Sequence, residues 1–361
     1  MIVCTNCHRP LPDEGHPFRC PTCGGLLDFA APFHFDPSQV DAGQPGIWRY
    51  RHTFELPEAA PVITLGEGQT PLVWAEAFER QVAFKLEFLN PSASFKDRGS
   101  AVLLSSLCSQ GVDAAVEDSS GNAGASFAAY AGRAGVEATV YVPESASGPK
   151  RDQIAAYGAR VIAVPGPRSR AAEAVLQAVE QGAVYASHAY LPWHLAGYAT
   201  CAYELVDQLG EGPGSVLVPA GQGGFLLGLS RGFKALKNAG VIEHLPVLVG
   251  VQARACAPLW AVSRYGHEGL SWVAEGPTVA EGIRILRPLR GDAVLREVEA
   301  GGGLFVSVEE DEILSGRDQL ARKGFYVEAT SAVVWDALAQ TAGQIRDPVV
   351  AILTGSGLKS T

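Results

Sequence analysis

The sequence predicts an α/β protein in which mostly parallel strands are flanked by helices. From Val62 onward, short apolar runs alternate with helix-length segments, a pattern typical of parallel sheets covered on both faces. The chain has 361 residues, more than one core usually organises, so two or three units are expected. Its 47% hydrophobic content, 18% charged content and 41 glycines fit an ordered, glycine-punctuated enzyme.

Composition also limits the classes of partner that we expect the protein to bind. The formal net charge of −10 argues against nucleic acid as a main partner, while local charge decides whether a small anion binds. No run approaches the roughly 18 consecutive apolar residues that indicate a membrane span. The first residues lack the basic and then apolar pattern of a secretory signal. We therefore expect a cytoplasmic protein that acts on a small molecule, with a homodimer as one expected assembly.

Four cysteines near the N-terminus have the spacing of a metal site. Cys4 and Cys7 form one C-x2-C pair, and Cys20 and Cys23 form a second after twelve residues. Two such turns can present four thiolates to one tetrahedral zinc ion, and a site with four protein ligands is structural rather than catalytic. The polar segment between the pairs is too short to build a core, so metal binding would supply its folding energy. Disulfides and a redox dithiol are the alternatives.

The remaining elements are predicted in chain order. Residues 28–59 are rich in proline, glycine and aromatic residues, which indicates a linker or an arm that wraps the main body. We then predict a strand end, a turn and a helix within 115–135, strands at 138–144, 161–166, 183–188 and 246–252, helices at 149–159 and 168–182, and a strand, a glycine turn and a helix within 215–236.

The stretch NPSASFKDRG, residues 90–99, places Lys96 directly before a predicted helix. Pro91 biases the preceding residue away from helix, and Ser92 or Ser94 can act as the N-cap. A helix N-terminus disfavours an ammonium group and would ease deprotonation of the lysine. A neutral lysine amine is what Schiff-base chemistry requires. Only seven of the 28 basic residues are lysines, so Lys96 is the clear candidate, with an ordinary surface lysine as the alternative.

NPSASFKDRG resembles the lysine motif NPTGSFKDRG of the threonine synthase group of pyridoxal-phosphate (PLP) enzymes, the group called fold type II. The resemblance continues in the family's order through LGEGQTPL, SSGNAGASFAAYA, VQARACAPL, VEATSA and LTGSGLK. It implies a large PLP-binding domain of residues 29–86 and 195–361, a small domain of residues 87–194, and PLP in the cleft between them. The cysteine-rich segment 1–28 would be a zinc ribbon that precedes both.

The resemblance also implies roles for individual residues. Lys96 would hold PLP covalently and remove the Cα proton of the substrate, and Asn122 would bond the 3-oxygen of PLP. Thr354 would bond the pyridine nitrogen, and a neutral hydroxyl there favours elimination and replacement over transamination. A glycine loop that opens a helix would bind the PLP phosphate through backbone N–H groups. That loop consists of Gly221, Gln222, Gly223 and Gly224. The substrate carboxylate would be held by Ser119, Ser120 and Gly121. Plain turns that start helices are the alternative explanation for both loops.

The segment 188–197 departs from the family pattern. Threonine synthases use an asparagine and an arginine there to hold the substrate phosphate, and this chain has His188 and His194 at the matching positions. A permanently charged, bidentate ligand has given way to a group that is mostly neutral at pH 7. Three arginines are candidates to compensate: Arg151, Arg168 and Arg170.

Three functions follow from these patterns. The first is that of a threonine synthase, which converts O-phosphohomoserine and water into threonine and phosphate. The second is that of a PLP-dependent lyase, dehydratase or β-replacement synthase that acts on a different amino acid. The third is an inactive zinc-ribbon binding protein, against which the intact Lys96, Asn122 and Thr354 argue.

Overall fold

The computed structural model describes residues 1–12, 14–146 and 148–359. The strands are β1 (Ile2–Cys4), β2 (Leu27–Phe29), β3 (Leu72–Ala77), β4 (Arg80–Lys85), β5 (Ala114–Glu117), β6 (Glu137–Pro143), β7 (Arg160–Val164), β8 (Val184–Tyr185), β9 (Ser215–Pro219), β10 (Val247–Ala253), β11 (Leu304–Val308) and β12 (Val349–Ile352). The helices are α1 (Lys96–Ser109), α2 (Asn122–Ala134), α3 (Pro149–Ala156), α4 (Arg168–Glu180), α5 (Trp193–Leu209), α6 (Gly224–Asn238), α7 (Pro258–Tyr265), α8 (Gly291–Ala300), α9 (Glu310–Arg322) and α10 (Ala329–Gln340).

The strands form three sheets. The large sheet has the order β11-β10-β9-β12-β4-β3, and the small sheet has the order β7-β6-β5-β8. All neighbours in both sheets are parallel except β3 and β4. β1 and β2 pair antiparallel within an N-terminal module, residues 1–29. The predicted α/β class is confirmed, whereas the domain boundaries at 28, 86 and 194 stay a prediction.

The antiparallel pair β3–β4 is a hairpin that the sequence did not predict. Its two-residue turn consists of Phe78 and Glu79, with φ of 51° and 58°. Two consecutive residues with positive φ are the mark of a tight hairpin turn, which is normally signalled by Asn-Gly or Asp-Gly. This turn has no such residues. Tertiary packing holds it instead, with Phe78 against Trp335 at 5.2 Å between ring centroids.

The segment after the N-terminal module is an arm that lies against the main body. Its aromatic residues are buried, and the ring centroids of Phe35 and Tyr203 in α5 lie 4.7 Å apart. Trp48 Nε1 donates a hydrogen bond of 2.9 Å to Glu67 Oε1. Burial of large aromatic side chains therefore fixes this segment, which has no strand and only short 3-10 helices.

Loops at the carboxyl ends of four parallel strands supply most of the predicted site. β5 ends at Glu117, just before the serine and asparagine loop, and β8 precedes His188. β9 leads into the glycine loop, and β12 leads to Thr354. Ligands of open α/β sheets bind at these carboxyl ends, so the topology brings the predicted residues to one region.

A network of buried charges supports the helix that begins with Lys96. The Arg98 guanidinium bonds both Glu87 and Glu204 at 2.7 Å. Lys85 Nζ donates to Glu204 Oε2 at 2.8 Å. All four charged side chains are essentially inaccessible to solvent, and removal of one partner from such a network usually costs about 3–5 kcal/mol. The helices of the described residues are too short or too polar to cross a lipid bilayer.

Candidate active site

Lys96 is the first residue of α1, as the sequence predicted, but the expected serine cap is wrong. The residue ahead of the helix is Phe95, and neither serine hydroxyl caps it. Instead, the backbone N–H of Ser92 donates to Asp97 Oδ2 at 2.6 Å, and the Ser92 hydroxyl also bonds this carboxylate. The loop turns back onto the carboxylate in the first turn of the helix, and Phe95 rather than a serine stands in the capping position.

The Lys96 amine is half-buried and lies over the Phe95 ring, 4.6 Å from its centroid. Burial lowers the pKa of Lys96 to about 8, against an opposing effect of Glu117 and Glu328. The hydrogen bonds between described residues include none to its Nζ. Two other buried lysines are committed: Lys85 to the charge network and Lys359 to the backbone oxygen of Ser92. Lys96 therefore has the amine that is available for chemistry.

Asn122 begins α2 and connects the small sheet to the large one. Its Nδ2 donates to Glu328 Oε1 at 2.8 Å, while its Oδ1 is buried without a partner in the described part of the chain. The loop ahead of it is tight: Gly121 N donates to Ser119 Oγ at 3.2 Å, with Ser120 between them. A Cβ on Gly124 would lie 1.8 Å from the Ser119 carbonyl oxygen, so only glycine fits there. Ser119, Ser120 and Gly121 thus lie between Glu117 and Asn122.

Thr354 lies directly behind the start of α1. Its carbonyl oxygen accepts a hydrogen bond of 3.0 Å from the backbone N–H of Phe95. Its hydroxyl lies 2.9 Å from the hydroxyl of Ser331, and both side chains are buried. The polar pair at this position is therefore neutral, which matches the role that the resemblance implies for Thr354.

The glycine loop lies on the other side of Lys96. Gly223 has φ of +77°, and a Cβ there would lie 2.7 Å from Val294 Cγ2. The Gln222 side chain accepts a hydrogen bond of 3.0 Å from Leu289 N, so its amide braces a neighbouring loop. Phe225, in the first turn of α6, stacks on Phe95 with centroids 4.4 Å apart. The glycine loop and the lysine are therefore held side by side through two aromatic rings.

His188 and His194, the two predicted phosphate contacts, occupy different surroundings. His188 Nδ1 lies 2.7 Å from Glu117 Oε1, and His188 lines a small cleft next to the glycine loop. His194 is buried in α5, where it packs against Gly99 of α1 and its Nδ1 has no partner among described residues. Burial lowers the pKa of both imidazoles. Of the two, His188 is the one that faces the cleft.

The three arginines named as candidates to replace the missing phosphate ligand bond to other residues. Arg151 bonds the Ala146 carbonyl oxygen at 3.0 Å, and Arg170 bonds Glu173 on an exposed helix face. Arg168 reaches Asp118, with 3.6 Å between Nη2 and Oδ2. An arginine that the sequence did not single out, Arg290, lines the same cleft as His188. Its guanidinium is tied to the backbone, with hydrogen bonds to the carbonyl oxygens of residues 27 and 190.

The four predicted zinc ligands come together in the N-terminal module. Their sulfur atoms all lie within 4.8 Å of one another. Cys4 and Cys23 are 3.4 Å apart at Sγ, and Cys7 and Cys20 are 3.6 Å apart. Disulfide sulfurs are bonded at about 2.05 Å, so these pairs are not disulfides. Zinc–sulfur bonds of about 2.3 Å place the sulfurs of a tetrahedral site about 3.8 Å apart, close to the distances here.

The residues around Lys96 fit PLP. The amine lacks a hydrogen-bond partner among described residues, and the loop that opens α6 needs glycine at Gly221 and Gly223, where a Cβ would lie within 3.0 Å of neighbouring atoms. Two acids also face this region: Glu117, which sequence reasoning missed, and Glu328, which the resemblance places in a supporting loop without a catalytic role. Glu117 is the polar last residue of an otherwise apolar strand, and Glu328 immediately precedes a helix, which are the signals that point to them.

Comparisons with known proteins agree with this fit. The profile of a family described as pyridoxal-phosphate dependent enzymes matches residues 63–355. Threonine synthase of Methanocaldococcus jannaschii is 32% identical over 374 residues, which cover 99% of this chain and 92% of that protein. Threonine synthase of Synechocystis sp. is 35% identical over 321 residues, with 86% and 82% covered. A crystal structure of T.th. threonine deaminase has a TM-score of 0.67 and 26% identity, and the match covers 80% of this chain and 92% of that one.

Proposed function

The chain belongs to the threonine synthase family of pyridoxal-phosphate-dependent enzymes of fold type II and is a PLP-dependent lyase, and we propose that it catalyses elimination or replacement on an amino acid with Lys96 as the catalytic lysine. The observation that carries this proposal is the Lys96 amine, with its pKa lowered to about 8 and no hydrogen-bond partner among described residues, beside the glycine loop. PLP, when bound, withdraws electrons from the substrate's Cα and so makes its proton acidic.

Each site residue has a task that follows from its position. Lys96 Nζ holds the cofactor and then takes the proton from Cα of the substrate. Asn122 and the glycine loop would hold the two ends of the cofactor, and the Thr354 hydroxyl would bond its ring nitrogen. Because the Thr354 hydroxyl is paired with a second hydroxyl rather than a carboxylate, it would leave that nitrogen unprotonated. That favours loss of a leaving group over transamination.

O-Phosphohomoserine is the first candidate substrate, with threonine and phosphate as products. Its support is the similarity to threonine synthases over nearly the whole chain. A second candidate is an amino acid without a phosphate, which would be cleaved or substituted at Cβ. It is favoured by the Glu117–His188 pair, since a buried carboxyl group is a poor neighbour for a phosphate dianion.

Two measurements test the proposal in sequence. Purified protein with added PLP should show the visible absorbance band of a lysine-bound cofactor, which K96A abolishes and the exposed-lysine control K237A retains. Absence of the band from the wild type would refute both candidate reactions. Phosphate release and threonine formation from O-phospho-L-homoserine then identify the first candidate. A 2-oxo acid formed from L-serine or L-threonine, without threonine synthesis, identifies the second.

We also propose that the four-cysteine cluster holds a structural zinc ion. The two sulfur–sulfur distances and the C-x2-C spacing support it. Metal analysis of the purified protein should give one zinc per chain, and C7S should lose it.

A further inference from the structure

A carboxylate–imidazole pair, Glu117 and His188, lies near enough to Lys96 for their charges to interact, and no proton transfer has been assigned to it above. We propose that this pair is a second proton-transfer site, in which His188 Nε2 protonates the leaving group and then accepts a proton from the entering nucleophile. Glu117 is the positioning residue that holds the imidazole. The inference rests on the proposed elimination or replacement reaction; protonation of the leaving group applies to either candidate substrate, and the nucleophile step applies where replacement follows.

The geometry of the pair leaves one ring nitrogen for a ligand. His188 Nδ1 lies 2.7 Å from Glu117 Oε1, and the side chains of the two residues are 16% and 1% exposed. His188 Nε2 has no partner among described residues. The imidazole lines the cleft together with Gln222 and Gly224 of the glycine loop. A group bound in this cleft therefore meets Nε2, in the arrangement that general acid–base catalysis by histidine uses.

The electrostatic surroundings allow the pair to exchange one proton near neutral pH. Burial raises the pKa of Glu117 to about 7 and lowers the pKa of His188 below its usual range. The charged or titratable groups that face the pair are Lys96, Asp118, Arg168, Tyr185, His194 and Tyr198. A buried pair with one shared proton is neutral overall, whereas its deprotonated form is an anion, so both forms are accessible around pH 7.

The proton transfers balance. His188 gives a proton to the departing oxygen as the carbon–oxygen bond breaks, and both bonding electrons stay on that oxygen. The neutral imidazole then takes a proton from water as the water oxygen bonds to carbon. The electron pair left by the proton lost from the neighbouring carbon forms the carbon–carbon double bond. Lys96 moves the protons on carbon, at Cα and, for a leaving group at Cγ, also at Cβ and Cγ. When a nucleophile adds, the pair ends with the proton it began with.

A merely structural pair would hold residue 188 against β5 and nothing more, and substitutions distinguish the two roles. The test uses H188N, H188A and E117Q in the PLP-loaded enzyme. The matched control is E243Q together with H244N, which alters an exposed glutamate–histidine pair on the surface. O-Phospho-L-homoserine, L-serine and L-threonine are the probes. Exchange of the probe's α-hydrogen in D2O, followed by NMR, reports on Lys96, while release of phosphate or a 2-oxo acid reports on the leaving group.

We expect H188N to keep α-hydrogen exchange and the cofactor band while leaving-group release falls about 10²-fold or more. Added imidazole should partly restore release by H188A, and the control should behave as wild type. Unchanged release, or exchange and release lost in equal proportion without rescue by imidazole, would overturn the proposal.

A readout without turnover separates this inference from the proposed function. In protein labelled with ¹⁵N-histidine, the His188 resonances, assigned by their loss in H188N, should shift near pH 7, where Glu117 titrates and the pair loses its shared proton. In E117Q this shift near pH 7 should disappear, because the carboxyl group that takes part in the shared titration is gone. A His188 resonance that shows no such shift, or whose shift E117Q leaves unchanged, contradicts the pair even if the enzyme is active. Absence of the cofactor band contradicts the proposed function instead.

Discussion

The Lys96 amine is held in a half-buried position that disfavours its charged form, and this makes the free energy of unfolding depend on pH. A free lysine has a pKa of 10.5, and burial lowers that of Lys96 to about 8. Between these pH values the unfolded chain carries a proton that the native protein lacks, so this residue makes stability rise with pH. Below pH 8 the native protein also carries this proton, and the free-energy cost of burying the ammonium group is fully present.

The first prediction is that K96M stabilises the cofactor-free protein at pH 7, by on the order of 1–3 kcal/mol. The advantage over wild type should shrink as pH rises from 8 toward 10. Urea unfolding of both proteins at each pH measures it, with the exposed-lysine variant K237M as the control for loss of a charge. A K96M advantage that is the same at both ends of this range would show that the Lys96 charge is not what destabilises the fold.

At the residue scale, the sequence allowed prediction of site residues that stand in a motif, and it did not allow prediction of residues that only packing brings together. Lys96, Asn122 and Thr354 stand in local patterns, and the structure brings their loops together. The partnership of Glu117 with His188 joins residues 71 positions apart and depends on how β5 and β8 pair. The serine cap failed for a local reason, since Phe95 stands ahead of the helix and the Ser92 hydroxyl bonds the Asp97 carboxylate instead of a helix N–H.

Among the elements, the glycine loop ahead of α6 is the one whose conformation the site depends on most. Gly223 combines a left-handed backbone, with φ of +77°, and close contact with Val294. Gly240, after α6, has φ of +72° with open space around it, so it shares the backbone strain without the contact.

We therefore predict that G223A weakens PLP binding by about tenfold or more, equal to about 1.4 kcal/mol, while G240A binds PLP normally. Both variants should lose roughly 1–2 kcal/mol of stability from the left-handed alanine, and G223A should lose more because its Cβ would lie 2.7 Å from Val294 Cγ2. Titration of the visible band with PLP measures the affinity. Equal effects of the two substitutions on PLP affinity would remove the glycine loop from the phosphate site.

Element prediction succeeded where periodicity and turn residues agree. The strands and helices from β5 to β10 follow the alternation seen in the sequence except for α5, which the sequence did not predict, and the parallel order follows from the helices between the strands. The β3–β4 hairpin escaped prediction because Phe78 and Glu79 carry no turn signal. The charges of Lys85, Arg98 and Glu204 also gave no sign that they are buried together, because only the tertiary fold pairs them.

On the scale of the whole molecule, the N-terminal module is attached to the segment that carries His188. Phe18 packs edge-on against Tyr185 and Tyr190, with centroids 5.3 and 5.0 Å away. Asp28 accepts two hydrogen bonds, of 2.7 and 2.8 Å, from Arg231 of α6. A metal that folds this module would therefore also support one wall of the cleft.

We predict that C7S, or removal of zinc by a chelator, lowers the melting temperature by at least about 2–4 °C, the shift expected for 1 kcal/mol in a large domain. It should also raise KM more than it lowers kcat, because the module touches the cleft wall and not Lys96. C108S, at a half-buried cysteine outside the cluster, is the matched control. Thermal unfolding and steady-state kinetics that are identical for C7S and wild type would contradict a structural metal.

Peptide mapping after borohydride reduction of the PLP-loaded protein tests directly whether Lys96 is the residue that carries PLP. Reduction fixes the cofactor to the lysine that holds it, and mass spectrometry of the digest locates it. We expect the pyridoxyl mass on the peptide that contains Lys96 and none on the peptides with Lys85 or Lys359. An unlabelled protein, or a label on another lysine, would contradict the assignment of Lys96.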